Sequence, residues 1–171
     1  MIHSIDNVLT EDQRKELIKI TESLFLTPDE LNNLNVNSKR DYTSNNIKQT
    51  APFLHYRKDM ENILITMIKK IHEKTNMRFV VESVWANLSF PVKRELLWHN
   101  HPTPWSGVYY SEVLPFINNG TLFKKYGFVK SKQNSLLIFP GEEFHSQPTW
   151  PLFVRRHTLA MDFQFYPWQV G

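Results

Sequence analysis

Two histidines stand two residues apart in the segment WHNHP (98–102), and a third lies downstream in IFPGEEFHSQP (138–148). In extended backbone, residues i and i+2 project to the same side, so His99 and His101 can reach one point in space. Imidazole nitrogen suits iron, copper, nickel and zinc. His145 supplies a third ligand, placed just past the apolar run Leu136–Phe139 at a turn built by Pro140 and Gly141. A ligand at the rim of a strand-rich fold, with its base in the core, is what a rigid metal site needs. The HxH pair alone is as well explained by chance packing. The strand-end position of His145, with Arg156 beyond it, turns the balance toward a metal site.

Arg156 lies in FVRRHTLAMDF (153–163), a run of strand type. A guanidinium inside a half-buried strand is costly unless it meets an anion, and its planar fork binds a carboxylate through two parallel hydrogen bonds. Thr158 projects to the same face and can donate a hydroxyl to the same anion. Arg155 is expected to face solvent. Of the remaining histidines, His3, His55 and His72 have no partner at ligand spacing, and His157 should point to the face opposite Arg156. All four read as ordinary residues.

These side chains need elements to hold them. In the first part, Thr10 with Gln13 three residues on reads as a capping box. Leu17, Ile18, Ile20 and Leu24 then recur at helical steps. The polar stretch 27–52 reads as loop. A second helix is predicted from Tyr56 to Lys74, with Met60, Ile63, Leu64, Met67, Ile68 and Ile71 as its apolar stripe. From residue 77 short Val-, Phe-, Tyr- and Leu-rich runs alternate with turn residues and read as strands. The expectation is one α+β domain over 1–171, mainly β. Helices occupy about 1–76 and a two-sheet barrel about 77–166, with the candidate chemistry in the barrel.

Composition narrows the possibilities further. The chain has 171 residues, 41% hydrophobic and 13% aromatic, enough for a buried core. It has no cysteine, which excludes disulfides, Cys-ligated zinc, iron–sulfur clusters and thiol catalysis. A net charge of +3 with only isolated Lys pairs argues against a nucleic-acid partner. The first residues resemble no signal peptide and no apolar run reaches membrane-span length, so a soluble, cytoplasmic protein without a membrane partner is the default expectation. Trp98 and Trp105 flank the histidines and either wall a pocket or pack in the core.

The stretch Trp85–Phe163 resembles the small bacterial and phage-type 2-oxoglutarate–Fe(II) oxygenases related to prolyl hydroxylases. The most specific blocks are HxHP…SGVYY and FPxxxxH…RxT, with Arg156 following His145 by 11 positions (156 − 145). The resemblance implies a double-stranded β-helix, jelly-roll or cupin-like, flanked by N-terminal helices. It implies Fe(II) and 2-oxoglutarate as cofactors. His99 and His145 would be metal ligands, and Arg156 would grip the far carboxylate of 2-oxoglutarate with Thr158 beside it. Tyr110 would hydrogen-bond that carboxylate, or Tyr109 if the register differs by one. The implied activity is a dioxygenase that hydroxylates a small-molecule or peptide substrate, with no catalytic residue beyond the metal ligands.

The chain departs from this pattern at one position. The family has a carboxylate two residues after the first histidine, in a 2-His-1-carboxylate triad, and this chain has His101. Three arrangements fit: His101 ligates, it swings aside for a water, or Asp162 or Glu143 completes the set. Direct ligation is the expectation. Two other functions use the same residues. One is a cupin-type metal protein without 2-oxoglutarate, whose usual glutamate has its nearest analogue in Glu112. The other is a non-catalytic binding domain on the same scaffold.

Overall fold

The computed structural model describes residues 1–34, 47–89, 98–115, 119–148 and 155–166. Helix α1 (Glu11–Glu22) starts as its sequence predicts. The Thr10 hydroxyl accepts from the Gln13 backbone N–H at 3.2 Å, and the Gln13 side chain accepts from the Thr10 N–H at 3.1 Å. Glu11 and Asp12 sit in the first turn, where acidic groups favour the helix dipole.

The long apolar helix is shorter at its start than predicted. Two 3₁₀ turns, Leu54–Tyr56 and Lys58–Met60, precede α3 (Glu61–Thr75). It ends on Asn76, whose left-handed φ of 57° closes the last turn through an N–H to the His72 carbonyl at 2.9 Å. Ile63, Leu64, Met67 and Ile71 are buried along one face, each worth roughly 1.5–3 kcal/mol relative to exposure.

The polar stretch expected to be loop holds two elements among its described residues: α2 (Pro28–Asn33) and the strand β2 (Ile47–Gln49). Residues 35–46 lie outside the described residues. The N-terminal part also contributes β1 (His3–Asp6), so it is not purely helical. Three or four residues carry too little alternation to be read as strands, and these two exist because longer strands pair with them. Most of the remaining strands follow the predicted runs: β3 (Phe79–Ser89), β4 (Trp105–Glu112), β5 (Gly120–Phe123), β6 (Gly127–Lys130), β7 (Ser135–Pro140) and β9 (Arg156–Phe165); β8 (His145–Ser146) is a two-residue strand where a turn was expected.

Two antiparallel sheets result among the described residues, with strand orders β1-β7-β4-β9-β3-β2 and β6-β5-β8. Both are open-edged. Alternation along the large sheet divides its side chains between two layers. Val84, Ala86, Tyr109, Leu136, Ile138, Leu159, Met161 and Phe163 meet α1 and α3 in the main core. Tyr110, Leu137 and Phe139 face the small sheet and pack with Phe123, Val108 and Val129. The inner space between the sheets, rather than the helical layer, holds the polar residues of interest. No described helix is long and apolar enough to cross a membrane.

Candidate metal centre

His99 and His145 lie opposite each other in an isolated antiparallel bridge. His99 N–H donates to the His145 carbonyl at 3.0 Å, and His145 N–H donates to the His99 carbonyl at 2.9 Å. His101 is tied to the turn after β7: its N–H donates to the Gly141 carbonyl at 2.8 Å, and Gly141 N–H donates to the Pro104 carbonyl at 3.0 Å. Gly141 is needed for this approach, because a Cβ there would fall 1.9 Å from the Thr103 carbonyl oxygen. Strap 101–104 and turn 140–143 can therefore lie against each other only with glycine at 141.

These contacts bring three imidazoles together. One candidate ligand nitrogen from each of His99, His101 and His145 lies within 4.8 Å of the others. Ring centroids are 4.4 Å apart for His99–His145, 5.3 Å for His99–His101 and 5.2 Å for His101–His145. His101 and His145 are buried. The Nδ1 of His145 donates to the Glu143 carbonyl at 2.9 Å, which fixes the ring. Phe139 packs edge-on against the His145 ring at 4.8 Å. On the other side, Trp85 lies nearly parallel to the His101 ring at 5.8 Å. Three converging imidazoles with two rings fixed by hydrogen bonds and packing suit a first-row divalent metal ion.

The acids weighed as substitute ligands are placed differently. Asp162 pairs with His101: its Oδ1 is 3.0 Å from His101 Nδ1 and its Oδ2 is 3.3 Å away. Ser106 donates to Asp162 at 2.7 Å and Ser83 at 3.0 Å. Burial pushes the Asp162 carboxyl pKa up. The hydrogen bonds from His101, Ser106 and Ser83, with the attraction of His101, outweigh that and hold it below the usual carboxylate range. Glu143 instead accepts from Lys125 at 3.4 Å. Glu112, the cupin analogue, forms an ion pair with Arg155, its Oε2 2.8 Å from Nε. Arg155 also pairs with Glu22, so it is engaged by two acids rather than simply solvated.

Farther along β9, Arg156 points inward and is 4% exposed. Its Nη2 donates to the Gly120 carbonyl at 3.0 Å, its guanidinium carbon lies 5.2 Å from the Tyr110 ring centroid, and its Nε has no partner. Among the described residues no carboxylate pairs with it. Burial lowers its pKa, and the neighbouring Tyr110 opposes that shift. Thr158 is buried and sits opposite Tyr110 in the β4–β9 register. The Tyr110 hydroxyl meets Thr121 Oγ1 at 2.6 Å, and burial raises its pKa. Tyr109 points the other way, with its hydroxyl donating to Asn134 at 2.8 Å. Of the two tyrosines, then, the register puts Tyr110 beside Arg156.

Trp105 packs against Phe79 and His3 on the outer face and is core, while the Trp98 ring is covered by the Lys124 ammonium at 5.8 Å. His157 proves less ordinary than its sequence suggests. It is wholly buried on the outer face, between Thr21 Oγ1 at 2.8 Å and Ser111 Oγ. The support given to His101 by Ser83, Ser106 and Trp85 had no sequence signal of its own, because it arises from cross-strand register.

By sequence, the chain matches no protein-family model and no curated protein. By structure it is similar to several solved enzymes. HygX from Streptomyces hygroscopicus, solved with nickel and 2-oxoglutarate bound, aligns at a TM-score of 0.65 and 8% identity, over 97% of this chain and 83% of its own. The viral collagen prolyl hydroxylase of Paramecium Bursaria Chlorella virus-1 aligns at 0.62 and 12% identity, over 96% and 90%. A Pseudomonas putida prolyl-4-hydroxylase aligns at 0.60 and 13% identity, over 96% and 92%. At such identities the likeness is one of fold. The chain has the double-stranded β-helix fold of the 2-oxoglutarate–Fe(II) oxygenases, among them bacterial and viral prolyl hydroxylases.

Proposed function

We propose that this protein is a non-haem Fe(II)- and 2-oxoglutarate-dependent oxygenase that hydroxylates a small-molecule or peptide substrate. One observation carries the reading. The inner face of the same sheet system presents a three-imidazole cluster and a buried guanidinium that no described carboxylate neutralises. A buried, unpaired guanidinium is strongly unfavourable, and a dicarboxylate reaching from metal to arginine relieves it. HygX, with a similar fold, was crystallised with nickel and 2-oxoglutarate.

In this reading His99, His101 and His145 hold the metal through imidazole nitrogens. Arg156 receives the far carboxylate of the co-substrate, with hydroxyls from Tyr110 and Thr158 completing the cradle. The Arg156 fork fixes the acid's orientation, so that its keto-acid end is presented to the metal in one pose. When bound, iron and 2-oxoglutarate supply the oxidising chemistry: the keto acid is decarboxylated to succinate as one oxygen atom of O₂ enters a substrate C–H bond. The aromatic walls formed by Trp85, Phe123 and Phe139 keep water from the site.

The test is anaerobic Fe(II) loading, followed by 2-oxoglutarate binding and succinate release on adding O₂. Wild type should do both. Arg156→Ala should lose 2-oxoglutarate binding while its metal affinity stays within a few-fold of wild type. An iron-loaded wild type that neither binds nor decarboxylates 2-oxoglutarate overturns the reading.

A further inference from the structure

A three-histidine site lacks the negative charge that a 2-His-1-carboxylate site places directly on its metal. At the Nδ1 of His101 stands a carboxylate in a built socket. Asp162 is 8% exposed. Its neighbours in the sheet register are Ser83 on β3 and Ser106 on β4, and both donate their hydroxyls to it. One row of three adjacent strands thus fixes the carboxylate plane. The remaining donor is His101 Nδ1, at 3.0 Å from one oxygen and 3.3 Å from the other. No lysine or arginine among the described residues pairs with this buried acid.

We propose that Asp162 is a positioning residue for the metal, supplying through the His101 ring the negative charge that the third ligand itself lacks. The inference rests on the metal centre of the proposed function and deepens it. Geometry gives Asp162 three effects. It accepts a hydrogen bond from Nδ1–H, so Nε2 is the nitrogen turned toward the metal. It fixes the ring plane, which Trp85 supports from one face. It also raises the donor strength of the imidazole, as carboxylates hydrogen-bonded to metal-bound histidines do. A buried carboxylate with only hydroxyls and an imidazole as partners is in turn made less costly by a cation bound to the same imidazole.

The experiment uses the whole chain and Co(II) as a spectroscopic probe, with neither 2-oxoglutarate nor O₂ present. Four proteins are titrated: wild type, Asp162→Asn, His101→Asp, and the double variant. Asp162→Asn keeps the shape of the side chain and removes its charge. It should weaken Co(II) binding on the order of 10- to 100-fold and shift the Co(II) visible bands. In the His101→Asp protein no imidazole stands between Asp162 and the metal to be oriented or made a stronger donor. There Asp162→Asn should change Co(II) affinity by no more than a few-fold. An effect confined to the His101 background is something a purely structural role would not produce. Should Asp162→Asn fail to fold, Ser106→Ala, which removes one of the hydrogen bonds that aim the carboxylate, should weaken Co(II) binding several-fold.

Equal Co(II) affinity in wild type and Asp162→Asn overturns the proposal, as does the same loss in both backgrounds or a wild type that takes up no Co(II). If the effect of Asp162→Asn is confined to the His101 background and the iron-loaded protein still fails to decarboxylate 2-oxoglutarate, the role of Asp162 stands and the oxygenase reading falls.

Discussion

His157 should make the fold sensitive to acid between neutral pH and about pH 4. Its ring is wholly buried between α1 and the large sheet. It meets Thr21 Oγ1 at 2.8 Å and Ser111 Oγ, with Phe25 edge-on at 5.8 Å. Thr21 donates its own proton to the Leu17 carbonyl at 2.9 Å, so it accepts from His157 Nε2–H, and Ser111 faces the opposite nitrogen. The charged groups nearby are Arg155, with its partners Glu112 and Glu22, and Arg14, which donates to the Ser111 carbonyl at 2.6 Å. Burial first, and the Arg155 charge second, lower the His157 pKa from 6.5 to about 4. The sign follows directly. Between those values the unfolded chain takes up a proton and the native chain does not, so stability falls as pH drops from about 6.5 toward 4. The gap of roughly 2.5 pH units, at about 1.4 kcal/mol each, gives a loss of about 3 kcal/mol. With no exposure of the ring, solvent screening does not reduce this figure. Urea unfolding of the metal-free protein between about pH 7 and pH 4.5 measures it. The comparison is His157→Gln, which keeps a hydrogen-bonding side chain without titrating. His157→Gln should be less stable at neutral pH by about 1–2 kcal/mol, and the two curves should converge or cross in acid. Parallel curves would refute the reasoning, since every other titrating group is common to both chains.

Other perturbations separate the parts of the site. Gly141→Ala drives a Cβ into the Thr103 carbonyl, so it should loosen His101 and cut Co(II) affinity on the order of tenfold with the far-ultraviolet circular dichroism retained. Arg156→Met removes a buried, unneutralised guanidinium and keeps the volume. The ligand-free protein should gain about 1–3 kcal/mol in thermal unfolding and lose 2-oxoglutarate binding; a destabilised variant would mean that the guanidinium is already satisfied. Ala160 sits on the inner face of β9 between Thr158 and Asp162, opposite Trp85 and Val108. Ala160→Leu should obstruct the space between metal and arginine, abolishing 2-oxoglutarate binding by calorimetry while Co(II) binding persists.

Much of this architecture was legible in the residues, and the exceptions have local causes. The capping box at Thr10, the stripe of α3 and the long strands β3, β4 and β9 follow from spacing alone. Helix α2 also carries a local signal. Thr27 accepts from the Glu30 N–H at 3.3 Å, and Glu30 accepts from the Thr27 N–H at 2.8 Å. This is the same reciprocal cap as at Thr10, followed by a proline in the first turn, where proline is favoured. Its polar composition hid it. Strands β1 and β2 could not have been found locally. His3–Asp6 is a strand because it pairs with Ser135–Ile138, and Ile47–Gln49 because it pairs with Asn87–Ser89, both far away in sequence. The three histidines were visible because each lies in or beside extended chain. The Ser83–Asp162–Ser106 row was not, because it needs two strand registers at once, one of them shifted by an irregularity between Val81 and Ser83.

Strand β9 shows why those registers matter more than any one residue. Its even positions, Arg156, Thr158, Ala160 and Asp162, face the space between the sheets. Its odd positions, His157, Leu159, Met161 and Phe163, face the helices. One face thus carries the anion receptor at one end and the support of His101 at the other, six residues apart, about 20 Å along the strand. The other face carries core and the buried imidazole. A slip of one residue would exchange every member of both sets. It would place Arg156 and Asp162 in the helical core and His157 in the polar space. The apolar anchors Leu159, Met161 and Phe163, all essentially unexposed, therefore do more than stabilise the fold. At roughly 1.5–3 kcal/mol each, they make the alternative register prohibitively costly, and that penalty keeps a guanidinium and a carboxylate buried on the same side as the metal ligands.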